Sequence, residues 1–348
     1  MALTRLNNNS LLQTTAGDNF RNIIINGDMS IAQRGTSATG LGEGDNGYHT
    51  CDRWQFLESG TSTYEFTQTQ DNDVPTGQGF AYSLKMTCTT AVASVPADNL
   101  QRISQFIEGQ NLQYLKYGTA NAQSLTASFW VKSNVTGDYN THLYAPNATN
   151  RIITSTFTIN SADTWEKKTI TFAGDTAQTI INDNAARIHF TITLLAGTNF
   201  NSTDGTSWGA YSSSKIAYGQ TANVASSTSN YFNYTGVQLE AGTTASDFEF
   251  LPIDIKQTRC ERYYQKAFNQ NQSDNTNATS HVGNGVTFKT EMRATPSAST
   301  GTVHFSGGGA PSSFTHYFST TYGSAMWGAS TALGNYYWYQ TNLYDAEL

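Results

Sequence analysis

The side chains best suited to chemistry in this sequence are aromatic, and one group of them sits among small polar residues. Between Asn199 and Ser214, a run of Asn, Ser, Thr, Asp and Gly surrounds Trp208 and Tyr211. Large rings in such a loop have two readings. They form a platform that stacks on the C–H faces of a sugar while neighbouring amides and hydroxyls bond its OH groups, or they fold back onto a sheet as loop anchors. A second group, Tyr336, Tyr337, Trp338 and Tyr339, lies near the end of the chain. Strand alternation places Tyr336 and Trp338 on one face and Tyr337 and Tyr339 on the other, so one face is expected to be exposed or packed on another subunit. Trp208, Tyr211, Trp338 and Tyr336 are the candidate ligand contacts.

Catalytic groupings are weaker. Glycan hydrolysis needs two carboxyl groups facing each other across a sugar. Asp247 and Glu249 share a face only if their segment is extended, and like-charged neighbours at a domain edge read as solvated. His49, His142, His189, His281, His304 and His316 are scattered without metal-ligand spacing. There is no Gly-x-Ser-x-Gly elbow and no phosphate-binding glycine loop. The expectation is a binding protein that is not an enzyme.

The elements that must carry these residues are strands. Of the 348 residues, 38% are hydrophobic and 13% charged, the latter about half the usual ~25%. Thr, Ser, Asn, Gly and Tyr fill the deficit, favouring strands and turns over helices. The formal net charge is −7 with no basic stripe, which argues against nucleic-acid binding through phosphates. No apolar run is long enough to span a membrane, so no membrane insertion is expected. Residues 1–10 have no apolar core of signal-peptide length. Cys51, Cys88 and Cys260 are odd in number and lack scaffold spacing, so they are expected to be small buried thiols of a chain made in a reducing cytoplasm.

Two distant runs organise the chain. Asn22–Met29 reads as a strand entering an Asn-Gly turn, and Tyr231–Glu240 alternates, with Phe232 and Tyr234 facing a core, Asn233 and Thr235 facing outward, and Gly236 marking a bulge. Framed between them, Cys51–Phe56, Tyr64–Gln68, Phe80–Cys88, Ile103–Glu108, Leu125–Ser133, Ile152–Ile159, Trp165–Phe172 and Arg187–Leu195 read as strands, Asn111–Leu115 as a helical turn, and Gln33–Gly47 as largely loop. Trp54 belongs to the core on its face with Phe56, and Trp165 starts a strand. The resulting fold class is all-β: a β-sandwich, a short helix over Leu251–Glu261 with Pro252 at its first position, and a second, smaller β unit. In that unit Val282–Lys289, Thr302–Ser306, Phe314–Phe318 and Asn335–Tyr344 are strands and Asn269–Ser280 a polar loop. The boundaries are residues 1–20 as an N-terminal segment, 21–250 as sandwich, 251–265 as connector and 266–348 as the C-terminal β domain. The N-terminal segment is either a frayed end or an arm that orders on docking.

Several short segments occur together: Ile24–Met29, Ala32–Gly35, Asp52–Trp54, Ser104–Gly109, Ser128–Ser133, Gly236–Glu240, Cys260–Tyr264 and Met292–Pro296. In this order they resemble the tail-fibre and related virion proteins of tailed bacteriophages, especially marine and cyanobacterial ones. The region Asn22–Phe250 is similar to the jelly-roll sandwich of carbohydrate-binding modules. The resemblance implies a virion protein released by lysis, a homotrimer, an N-terminal arm that contacts other virion proteins, and recognition of host-surface glycan. It further implies a structural calcium ion near the Asn26-Gly27 turn, to which Asp28 and Glu240 would supply oxygens; a solvated Asp28 in a tight turn is the alternative. Two other roles stand beside glycan recognition: a capsid decoration, head-fibre or tail component with mainly protein–protein contacts, and a glycan-degrading enzyme.

Overall fold

The computed structural model describes residues 20–61, 63–275, 283–306, 314–327 and 334–348. Contacts divide the chain into two units, Met1–Leu251 and Pro252–Leu348. The candidate N-terminal arm, residues 1–19, lies outside the described residues.

The first unit contains β1 (Ser37–Leu41), β2 (Gly47–Tyr48), β3 (Gln55–Ser59), β4 (Glu65–Asp71), β5 (Ser83–Thr90), β6 (Leu100–Glu108) and β7 (Leu125–Ser133). It continues with β8 (Gly137–Pro146), β9 (Asn150–Ile159), β10 (Glu166–Phe172), β11 (Ala186–Ala196), β12 (Gly209–Ala210) and β13 (Tyr231–Ala241). They form a six-stranded sheet, β1-β4-β5-β13-β7-β10, and a seven-stranded sheet, β12-β9-β8-β11-β6-β3-β2. Neighbours pair antiparallel, as in β13 with β7 and β11 with β6. This is the expected all-β jelly-roll sandwich. Its core gathers Trp54, Phe56, Phe129, Tyr139, Phe190, Phe232 and Tyr234. Trp54 is fully buried, its ring meeting Tyr234 edge-on at 5.2 Å. Cys51, Cys88 and Cys260 are buried and form no disulfide among the described residues.

The opening and closing segments do lie side by side, but the first is not a strand. The Ile23 N–H donates to the Leu239 carbonyl at 2.9 Å, and the Val237 N–H to the Gly27 carbonyl at 2.9 Å. Side-chain amides replace the remaining ladder. Asn22 donates to the Val237 carbonyl (3.0 Å) and accepts from the Leu239 and Ile24 N–H groups (3.0 Å each). The Gln105 amide pairs with both the N–H and the C=O of Ile25 (2.7 and 2.8 Å). Asn26 donates to the carbonyls of Ile31 and Asp52. Because amide side chains satisfy these backbone groups, Asn22–Met29 can bend through the left-handed conformations of Asn26 and Met29 (φ 59° each) without a partner strand.

β13 departs from expectation in a second way: both of its faces are buried. Asn233 and Thr235, expected outside, lie under the segment before β5. The Thr235 hydroxyl donates to the Tyr82 carbonyl (2.7 Å), and Asp73 pins that segment by accepting from Lys132 Nζ (2.7 Å) and from the Trp165 indole (2.9 Å). Gly236 is the expected bulge, with φ 62° and a register shift against β7.

In the second unit, helix α1 (Ile253–Glu261) has Pro252 as its N-cap, one position before the expected first turn. Strands β14 (Tyr264–Asn275), β15 (Gly283–Thr287), β16 (Ser297–Ser306), β17 (Phe314–Phe318), β18 (Tyr322–Trp327) and β19 (Gly334–Asp345) make two three-stranded sheets, β14-β19-β16 and β15-β18-β17. The expected loop after Asn269 is instead strand as far as Asn275, because its polar residues pair with the long aromatic β19. Phe288, Met292, Tyr344 and Ala346 form a small core.

A cleft on the outer face of the seven-stranded sheet

Residues of β6, β8 and β11 that point away from the sandwich core come together by register. Pairing sets His189 against Phe106 on one side and Tyr144 on the other, and Thr191 against Ser104 and His142. The odd-numbered neighbours Ile103, Ile107, Leu143, and the even Ile188, Phe190 and Ile192, fill the core instead. The outward set lines a cavity of about 270 Å³, joined by Leu57, Arg102, Tyr211 and Ile216.

An aromatic row crosses this cleft. The Phe106 and His189 rings stack at 3.9 Å, Tyr144 meets His189 edge-on at 5.1 Å, and Tyr211 lies 4.9 Å from Tyr144. Tyr211 closes one end and is 41% exposed, because its N–H is held by the Asn150 carbonyl (2.9 Å) at the start of β9. Polar atoms beside the row lack partners: Arg102 Nε, His142 Nδ1 and His189 Nε2. Buried polar groups normally find partners, so these three nitrogens are open to bonding from whatever fills the cleft. Burial, and after it Arg102, holds both imidazoles down to about 3, so both are neutral at physiological pH. His142 uses its other nitrogen on the Ile216 backbone, which leaves Nδ1 as an acceptor. None of the described residues lining the cleft is Asp or Glu, so the carboxyl pair of a glycosidase is not assembled there.

The sequence-derived candidates are distributed differently. Tyr211 is part of the cleft. Trp208 is half-buried against the core, its indole N–H donates to the Ala173 carbonyl (2.6 Å), and its ring meets Tyr117 edge-on at 6.0 Å. It is thus tucked back on the sandwich and does not line the cleft. Tyr336 and Trp338 lie on β19, opposite Ser273 and Asn271 of β14; their side chains lie outside the described part of the molecule. Asp28 accepts from the Ser30 hydroxyl (3.0 Å). Glu240 accepts from the Ser246 N–H and hydroxyl and from the Gln238 amide, each at 2.8 Å. Glu240 is thus committed to protein donors, and among the described residues no group of three or more His, Cys, Asp or Glu is placed for a metal. Glu249 is equally committed, accepting from the N–H groups of Arg21 (3.1 Å) and Asn22 (2.9 Å).

Phe106, Tyr144, His189, His142 and Arg102 were missed as site residues. Their signal was present in the outward phase of each strand, most plainly in Tyr139–Ala145, where Asn140, His142 and Tyr144 alternate with Tyr139, Thr141 and Leu143. Which strands stand side by side was not.

The sequence matches no protein-family model and no curated protein. Among solved structures, the enzymatically active domain of tailspike protein 4 of bacteriophage CBA120 is similar over 64% of this chain at 12% identity, with a TM-score of 0.35; the match spans 22% of that chain, about a fifth of its length. A putative sugar binding protein from Bacteroides thetaiotaomicron is similar over 63% of this chain and 99% of its own, at 9% identity and a TM-score of 0.33. A family 11 carbohydrate-binding module from Clostridium thermocellum, in complex with a β-1,3-1,4-mixed-linked tetrasaccharide, is similar over 56% of this chain and 91% of its own, at 9% identity and a TM-score of 0.29. Likenesses this distant carry no argument about function.

Proposed function

We propose that this protein is a non-catalytic glycan-binding protein of a bacteriophage virion, of the tail-fibre or receptor-binding type, and that the outer cleft of the sandwich holds the sugar. The observation that carries the binding reading is the row Phe106–His189–Tyr144–Tyr211 lying beside unpartnered polar atoms. Rings take the apolar face of a pyranose, and the bare nitrogens take its hydroxyls. The virion setting rests on the sequence resemblance, as do the homotrimer and the attachment of the N-terminal arm to other virion proteins. Several weak sites on one particle would raise avidity through effective concentration.

A glycan array probed with the full chain tests the binding reading. Tyr144→Ala and Tyr211→Ala are each expected to weaken binding about tenfold, since a lost ring contact is worth on the order of 1 kcal/mol or more, with melting temperatures close to wild type. Full binding in both variants would remove the cleft from consideration. No binding by the wild type to any host polysaccharide would favour a structural virion role instead, and release of sugar from such a polysaccharide would favour an enzyme.

A further inference from the structure

Arg102 has no role in holding the fold that matches its chemistry. It projects from β6 into the cleft, where it is partly buried. Among the described residues its guanidinium forms no ion pair and a single long hydrogen bond, from Nη2 to the Ser59 hydroxyl at 3.3 Å, and its Nε has no partner. Burial lowers its proton affinity, and Tyr211, Tyr64 and Glu58 only partly offset this. Glu58, which does not line the cleft, accepts from the Gly44 N–H through Oε1 at 3.0 Å, while its Oε2 is buried without a hydrogen-bond partner. Three other partly buried cations of the sandwich are matched closely: Arg151 with Asp175 at 2.6 Å, Lys132 with Asp73 at 2.7 Å and Lys168 with Glu166 at 2.5 Å. A half-buried guanidinium without a carboxylate is costly unless something else supplies the anion. The neighbouring imidazoles are neutral, so the cleft carries one positive charge and no negative one.

We propose that the cleft selects a singly charged acidic sugar, whose carboxylate or sulfate ester pairs with Arg102 while its ring lies on Tyr144 and Tyr211. The proposal rests on the glycan-binding reading above and names its ligand class. A planar fork donates two parallel hydrogen bonds to an oxyanion, which a lysine cannot reproduce. His142 Nδ1, a bare acceptor, suits a neighbouring hydroxyl. The overall charge of −7 disfavours polyanions by long-range repulsion, so discrimination would come from this single contact and not from a basic surface.

The test is titration calorimetry of the full chain with oligosaccharides differing at one position: a galactose oligomer ending in a single galacturonate, the neutral oligogalactose, and a galactose oligomer carrying a single sulfate ester. The wild type is expected to favour one or both acidic ligands by about tenfold or more, and high salt should weaken only that preference. Whichever acidic ligand is preferred identifies the group that Arg102 receives. Arg102→Met should bring the acidic-to-neutral ratio to about one, and Arg102→Lys should restore part of it. Equal or tighter binding of the neutral ligand by the wild type overturns the acidic assignment and leaves glycan binding standing. So does a preference that survives in Arg102→Met. Binding of none of the three, nor of any glycan on the array, removes the glycan reading itself. If Arg102→Met does not fold, the lysine variant and the salt dependence of the wild type decide the matter.

Discussion

Replacing Gly27 with alanine should loosen the joint that closes the sandwich. A Cβ on Gly27 would stand 2.0 Å from the Val237 carbonyl oxygen and 3.1 Å from its carbon, so backbone must separate from backbone by more than an ångström. Yet Gly27 is tied to that same residue: its carbonyl accepts from the Val237 N–H at 2.9 Å, and Asn22 holds the Val237 carbonyl at 3.0 Å. Separation therefore loses two or three hydrogen bonds at about 1 kcal/mol each. Roughly 0.5 kcal/mol returns because alanine restricts the unfolded chain, leaving a loss of about 2 kcal/mol. For a unit of this size each kcal/mol is worth about 2–4 °C, so the calorimetric transition of the sandwich should fall by roughly 4–8 °C. Gly47→Ala is the control, because its Cβ would meet only the His49 ring at 3.5 Å, an ordinary contact. If Gly27→Ala melts with that control, the close approach of the opening segment to β13 is not what holds the sandwich shut.

Other outcomes follow from the same geometry. Trp208→Ala should cost about 2–4 kcal/mol in urea unfolding, from lost packing and the lost bond to Ala173, while cleft binding falls less than in Tyr211→Ala; the reverse order would restore Trp208 as the platform. His142 and His189 are held down to about 3 against an ordinary 6.5. Below 6.5 the unfolded chain takes up protons that the folded chain refuses, so stability is unaffected above that value and falls as pH drops toward 3, by up to about 1.4 kcal/mol per pH unit for each group. His142→Gln should flatten the loss between pH 6.5 and 5 relative to wild type, and parallel slopes would contradict the assignment. Since Glu240 is committed to Ser246 and Gln238, adding a chelator or calcium should leave the melting temperature unchanged; a clear shift would point to a metal site that these residues do not form.

Much of the architecture was legible in the residues. Alternation marked β7, β10 and β11 almost to their ends, the glycine in Tyr231–Ala241 marked its bulge, and Pro252 marked the start of α1. The segments behind the family resemblance also converge in space: Gln33 donates to the Asp52 carboxylate (2.8 Å from its N–H), Arg53 to the Phe106 carbonyl (2.6 Å) and the Trp54 indole to the Asn26 carbonyl (3.0 Å). Periodicity failed where its physical basis was displaced. Asn22–Met29 has the composition of a strand, but side-chain amides from Asn22, Asn26 and Gln105 take the place of a partner strand. Asn233 and Thr235 have the polarity of an outer face, but a distant loop covers them.

The candidate site shows the same division. Local sequence determines that each strand presents one apolar and one mixed face, because the pleat has a period of two whatever its neighbours are. It cannot determine which strands pair or in what register, since those depend on contacts between residues far apart in the chain. His142 and His189 look scattered along the sequence, and only the alignment of β8 with β11 brings them beside Arg102. Tyr211 and Trp208 look equivalent in one polar loop, and only the packed structure sends one ring to the cleft and the other to the core.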